Sequence, residues 1–289
     1  MRRIHRWILR RYGITPGSVL NQGGEPHASA EPVAAELLRL ARAMEAEAFD
    51  PGNRQVDYAG LHRSLVYEEC RRCALRLQSF DPGTLTSRED RLAFWINLYN
   101  ALVVDAVIQF GVRRTVNEVP GFFWRAAYLI GGRRYCAHDI EHGILRANSQ
   151  HPAIPGAHFG QGDVRRRYSL DGLDPRIHFA LVCAARSCPP IAAYDPAQID
   201  SQLDLAAQAF INGGGVEIDS GAGAVRLSQI FRWYAQDFGG RWLAVGSKRP
   251  LLRFVFGYLE READRQFVTS LGPVSVSFMP YDWSLNLRA

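Results

Sequence analysis

Residues 92–110 run through Leu, Ala, Phe, Trp, Ile, Val and Tyr with few polar interruptions. Ser87 and Asp90 sit at the expected start of a helix, and a helix apolar on every side has to be buried, so this segment is expected to be the central helix around which the chain folds. Asn97, Asn100 and Asp105 break the apolar run. A buried amide without a partner costs a few kcal/mol. Asn97 and Asn100 must therefore hydrogen-bond either a neighbouring loop, the more usual arrangement, or catalytic and substrate groups.

A chain of 289 residues with 47% hydrophobic content is ordinary for one large domain or two small ones. The longest apolar runs are interrupted before the roughly 18 residues of a membrane span, and residues 1–12 hold too many arginines for the apolar middle of a signal peptide. A cytoplasmic protein is expected. Five cysteines, an odd number, then read as reduced thiols and not as a disulfide framework. The net charge of +5 comes from the amino terminus and Arg165-Arg166-Arg167. The aromatics lie in apolar segments away from those cations, so no nucleic-acid partner is expected.

In residues 2–12, Arg2, Arg3, Arg6 and Arg10 alternate with Ile4, Trp7, Ile8 and Tyr12 at helical spacing. A short basic amphipathic helix follows, docked on its own domain or in weak contact with an anionic membrane surface. Residues 14–29 read as loop, so residues 1–30 form a basic helix and linker ahead of a single domain, 31–289. Residues 32–49 and 58–78 have helical periodicity. The second of these contains Cys70 and Cys73, deep within the helix beside Glu68 and Glu69; zinc there would need Cys183 and Cys188 as further ligands, and two structural thiols are the simpler reading. Hairpins are expected at 122–130 with 133–136 about Gly131-Gly132, and at 216–218 with 224–227. Helices are expected from Asp195-Pro196 to 211, after Ser228, and over 249–261, with a closing strand at 274–278. The fold class is α+β: a mostly helical single domain with a small, largely antiparallel sheet, for which a papain- or transglutaminase-like arrangement is one fit.

Two stretches carry chemistry. In residues 174–190 the apolar run 177–182 reads as a strand buried on both faces, ending in a turn before Pro189-Pro190. On such a strand His178 and Cys183 face opposite ways, so Cys188, in the turn, is preferred over Cys183 as a nucleophile, with His142 or His178 as its base. Glu141 would orient the base, Ser187 supplies a hydroxyl nearby, and Arg146 or Arg186 would meet an oxyanion or carboxylate. The second stretch, His138-Asp139-Ile140-Glu141-His142, matches a zinc-hydrolase pattern in which two histidines bind metal and the glutamate is general base. With Asp139 as N-cap, His138 would fall outside the helix and lose the shared face, so no metal and no cofactor is expected.

The segments Phe94-Trp95-Ile96-Asn97-Leu98-Tyr99-Asn100-Ala101-Leu102, Asp139-Ile140-Glu141-His142-Gly143-Ile144-Leu145-Arg146, 174–190, Leu227-Ser228-Gln229-Ile230-Phe231 with Trp233-Tyr234 and Asp237-Phe238, and Tyr281-Asp282-Trp283-Ser284-Leu285-Asn286 together resemble the domain-of-unknown-function 547 family, in a bacterial-type member. The resemblance spans about residues 60–286. It implies polar motif positions at Asn97, Asn100, Glu141, His142, Arg146, His178, Ser187 and Pro189, but no activity and no family-wide cysteine nucleophile. The leading functional expectation is a hydrolase or acyl transferase built on a Cys/His/Glu cluster; the alternatives are a non-catalytic domain binding a small anionic or peptide ligand, the zinc-dependent hydrolase, and a structural module. The sequence leaves the oligomeric state open.

Overall fold

The computed structural model describes residues 2–23, 29–50, 52, 54–269 and 274–288. The apolar segment forms the helix Arg88–Gln109. Its start is fixed by reciprocal capping: Ser87 Oγ accepts the Asp90 N–H (3.0 Å) and donates to the Asp90 carboxylate (2.6 Å). Between residues 92 and 107 every side chain except Ala101 is buried. By length and apolarity this helix could cross a membrane, yet 83% of the relevant window is covered by the rest of the protein. It is the core helix.

Its three polar side chains are what other segments attach to. Asn97 clamps the backbone of Tyr194, accepting its N–H (2.9 Å) and donating to its carbonyl (2.8 Å). Asn100 donates to the Ala180 carbonyl and accepts the Val182 N–H, both at 3.0 Å. The Asp105 carboxylate accepts from Tyr67 Oη (2.7 Å), Tyr128 Oη (2.8 Å) and the Arg71 guanidinium (2.7 Å).

The helix Val33–Ala48 packs against both the core helix and the helix Leu65–Arg76, which is tied to the core helix through Tyr67 and Arg71 on Asp105. The continuous helix expected over 58–78 is divided into Tyr58–His62 and Leu65–Arg76, because Ser64 turns its hydroxyl to the Tyr67 N–H and starts a new helix. The first hairpin pairs Ala127–Ile130 with Arg133–Cys136, its turn made by Gly131 and Gly132 at φ 52° and 71°; residues Phe122–Arg125, expected in the strand, are a helical turn. A second core gathers Phe179, Phe210, Phe231 and Phe238. It is covered by a three-stranded sheet in which Ala224–Leu227 pairs antiparallel with Val216–Asp219 and parallel with Ser275–Phe278. The helix expected over 249–261 ends at Phe256. The whole is a mostly helical α+β protein with small, largely antiparallel sheets.

The largest departure concerns residues 177–182, which are not a strand. Asp174 caps the Arg176 N–H and Pro175 takes the first position of a 3-10 turn, Pro175–Phe179. The backbone that leaves this turn, at the Ala180 carbonyl and the Val182 N–H, is paired by the Asn100 side chain in place of a sheet neighbour.

At the amino end, the helix Arg3–Arg11 docks with His5 and Ile8 inward, His5 lying 5.1 Å from the Trp124 ring, while Trp7 is 60% exposed. Asn21 is fully buried and tied to Ala74 and Leu129, so this part of the loop expected over 14–29 is held against the domain; residues 24–28 of that loop lie outside the described residues.

Asp105→Ala would strand two buried hydroxyls and a guanidinium. We expect a loss of about 3–5 kcal/mol, measured by urea unfolding; a loss under about 1 kcal/mol would show that the network does not hold the core helix to its neighbours.

Candidate functional site

A cleft of about 680 Å³ opens beside the core helix. The segment after the Pro175–Phe179 turn forms one wall, the turn Asp139–Leu145 another, and the helix Gln229–Trp233 with the chain from Tyr281 to Trp283 a third. Much of the lining is aromatic: Phe123, Trp233, Trp242, Tyr281 and Trp283.

The thiol wall depends on one strained residue. Ala184 has φ 63°, a conformation a residue with a Cβ rarely takes. It reverses the chain so that Cys188 returns to Cys183, and Cys188 Sγ accepts the Cys183 N–H at 2.7 Å. The carboxy-terminal segment straps this loop down: the Arg186 N–H donates to the Ser284 carbonyl (2.9 Å), the Asn286 N–H to the Ala184 carbonyl (3.0 Å), and Ser187 Oγ accepts the Asp282 N–H (2.8 Å).

Cys183 is half-buried and Cys188 buried; Cys183 Sγ lies 3.0 Å from Tyr281 Oη. Burial opposes ionisation of Cys183, but hydrogen bonds from the Cys188 thiol, the Tyr281 hydroxyl and the Ala185 N–H outweigh it and hold this thiol below its ordinary value. Burial and the neighbouring Cys183 push Cys188 well above. The turn that frees Cys188 from strand alternation also buries it, while Cys183 stays half-buried.

His178 and Cys183 both line the cleft, which a regular strand would have forbidden. His178 Nε2 lies 2.7 Å from Asp237 Oδ2, and its ring stacks on Tyr234 at 3.9 Å. Burial lowers its pKa and Asp237 raises it, with burial the stronger; the imidazole is neutral at neutral pH. Asp237 also receives both arms of Arg146, at 2.6 and 2.8 Å. Although burial disfavours its charge, His178 and Arg146 hold its pKa at about 2. Glu141 faces the cleft and accepts from Tyr234 Oη at 2.5 Å and from Tyr99 Oη at 3.5 Å. Burial raises its pKa.

The other expected residues lie elsewhere. Asn97 and Asn100 are engaged by loop backbone, Arg186 is exposed, and Ser187 fastens the strap. His142 is fully buried behind the cleft, with Nδ1 2.8 Å from the Arg146 guanidinium. Asp237, Tyr234 and Tyr281 carry no role in the sequence reading; their only signal is membership of the motifs around Trp233-Tyr234, Asp237-Phe238 and Tyr281-Asp282-Trp283.

The zinc pattern needs one correction. The backbone at His138 is helical (φ −64°, ψ −32°), and Asp139 does not cap; its carboxylate turns to the Cys136 N–H, Arg165 and His158. His138 and His142 therefore share a face, with ring centroids 5.1 Å apart, and with His151 bring three ring nitrogens within 4.8 Å. The donor chemistry nevertheless suits a cation poorly. A guanidinium only donates, so His142 Nδ1 accepts from Arg146 and the ring proton sits on Nε2; His151 Nδ1 accepts the Ala153 N–H (3.0 Å), with the same consequence. Metal-binding imidazoles instead donate from the second nitrogen to an acceptor. The two thiol pairs line different pockets, Cys70 and Cys73 the one against the helix Val33–Ala48 and Cys183 and Cys188 the cleft, so they do not form a four-thiol cluster among the described residues.

The histidines beside the cleft set an acid limit. Burial lowers His5 and His151 from 6.5 to about 4. The unfolded chain then binds more protons than the native one between these values, so stability is full above pH 6.5 and falls as the pH drops toward 4. Urea midpoints at pH 7, 5.5 and 4 should decline in that order, and His5→Gln should flatten the slope; a slope unchanged by that substitution would show that His5 is protonated in the native state.

Neither the curated proteins nor the solved structures contain a match to this chain. The segment that supplies the core helix, Glu141, His178 and both cleft thiols, residues 83–211, matches the family model described as "Protein of unknown function, DUF547", a shorter span than the motifs suggest but the same family.

Proposed function

We propose that the cleft catalyses acyl transfer or hydrolysis through a Cys183 thioester. One observation carries this reading: a half-buried thiol 3.0 Å from Tyr281 Oη lines the same cleft as His178, which Asp237 holds from behind at 2.7 Å. Cys183 is the nucleophile, since it meets the cleft half-buried with Tyr281 Oη 3.0 Å from its sulfur, and its surroundings lower its pKa. Asp237 accepts from His178 Nε2–H and fixes the tautomer, which leaves Nδ1 with the lone pair that takes and returns a proton. Arg146 holds Asp237 ionised. Tyr281, beside the sulfur, is placed to donate to a developing oxyanion. The aromatic lining selects an acyl group with an apolar body, and Glu141, engaged by Tyr234, belongs to the wall and not to the reacting set.

The aromatic lining also favours a second reading, a site that binds a small apolar ligand without turnover. Intact-protein mass spectrometry after exposure to p-nitrophenyl acetate and octanoate separates the two. Acyl transfer predicts an acyl adduct on Cys183, lost in Cys183→Ala and retained in Cys188→Ala. His178→Asn and Asp237→Asn should slow turnover by about 10²–10⁴-fold. No adduct on Cys183 with either ester, in protein whose Cys183 alkylates readily, would leave the binding reading.

A further inference from the structure

We propose that Cys183 and Cys188 are a reversible dithiol/disulfide pair, a second chemistry of this cleft in which the two thiols together reduce a hydroperoxide. The inference does not depend on the acyl-transfer reading. Of the five cysteines, these two alone line the cleft, and the backbone brings them together: Cys188 Sγ lies 2.7 Å from the Cys183 nitrogen. That nitrogen is one bond of about 1.5 Å from its Cα. The sulfur is thus no more than about 4 Å from the Cys183 Cα, within the range a disulfide partner occupies.

The local structure keeps them in place. The turn that closes the loop has the Cys188 N–H on the Ala185 carbonyl (3.0 Å), and the strap from Asp282 to Asn286 pins both of its sides. The thiols also divide the labour that oxidation needs. Cys183 is half-buried, with its ionisation favoured relative to an ordinary thiol; Cys188, also at the cleft wall, is buried, and burial with the neighbouring sulfur disfavours its ionisation. The remaining thiols are unsuited, burial pushing Cys70 up to about 12 and Cys73 and Cys136 upward as well.

The chemistry balances with hydrogen peroxide as oxidant. The Cys183 thiolate attacks one peroxide oxygen, the O–O bond breaks, and hydroxide leaves a sulfenic acid on Cys183. The Cys188 sulfur then attacks the sulfenic sulfur; the S–S bond forms, the S–O bond breaks, and the departing hydroxide takes the Cys188 proton as water. The two sulfurs lose two electrons in total and the peroxide gains them. A small dithiol such as dithiothreitol returns the pair to the reduced state.

Arg186 lies between the two cysteines, so trypsin places them on separate peptides, residues 177–186 and 187–226. The full-length protein is treated with hydrogen peroxide, its free thiols are blocked, and it is digested without reductant. We expect the two peptides to appear linked, to separate again after dithiothreitol, and to form at least about tenfold faster than Cys70, Cys73 or Cys136 is lost. Cys188→Ser should stop at a sulfenic acid on Cys183 that dimedone traps. Recovery of 177–186 unlinked, as blocked thiol or as sulfinic acid, would overturn the proposal. The wild-type digest decides this even if a variant fails to fold. Acylation of reduced Cys183 is scored separately: a protein that acylates without cross-linking fails only here, and one that cross-links without acylating fails only the acyl-transfer reading.

Discussion

A helix buried on all sides offers its polar side chains no water, and everything else in this protein is arranged around that constraint. Asn97, Asn100 and Asp105 of the helix Arg88–Gln109 must each find partners inside the protein. Asn97 and Asn100 take the backbone of two irregular segments and so do the work that sheet neighbours would otherwise do. Asp105 ties the hairpin and a neighbouring helix to the core through Tyr128, Tyr67 and Arg71. The segment that Asn100 holds leads directly into Cys183. A polar residue on the core helix thus sets the position of a thiol that it never touches.

The second layer of organisation is electrostatic. Arg146, nearly fully buried, joins the distant Asp237 to two local groups, His142 and the Gln150 carbonyl. Its charge keeps Asp237 ionised, and Asp237 in turn orients His178. The same guanidinium occupies His142 Nδ1 and so leaves the ring proton on Nε2. Buried ion pairs need good geometry on both oxygens to offset desolvation, and the two-armed contact of Arg146 with Asp237 supplies it.

The thiol loop adds strain to this frame. Ala184 in a left-handed conformation is tolerated because its carbonyl and both of its flanks are bonded to the carboxy-terminal strap. That strap also reaches the amino-terminal half, where the Val56 N–H and Tyr58 Oη bond to Asn286. The strap that fastens the thiol loop is therefore itself held from the amino-terminal half, and the two cysteines face the cleft from that loop.

What the sequence determined by itself is what depends on local composition. The core helix follows from an apolar run with Ser87 at its start, and the hairpin turn from Gly131-Gly132, since capping and turn chemistry act within a few residues; the starts at Ser64 and Asp174 are equally local, but they lie where periodicity reads one continuous helix and composition reads a strand. The family is legible for the same reason: its motifs are local strings. The tertiary structure decided what depends on partners far away in sequence. Residues 177–182 have a strand's composition, but Asn100, some eighty residues earlier, meets their hydrogen-bonding needs, and the face that His178 and Cys183 share follows from that. The relative acidity of Cys183 and Cys188, the tautomer of His142 and the pairing of His178 with Asp237 are set by burial and by donors that no spacing rule reveals. Sequence spacing shows which groups are available, and only packing decides which nitrogen keeps its proton and which sulfur meets the cleft.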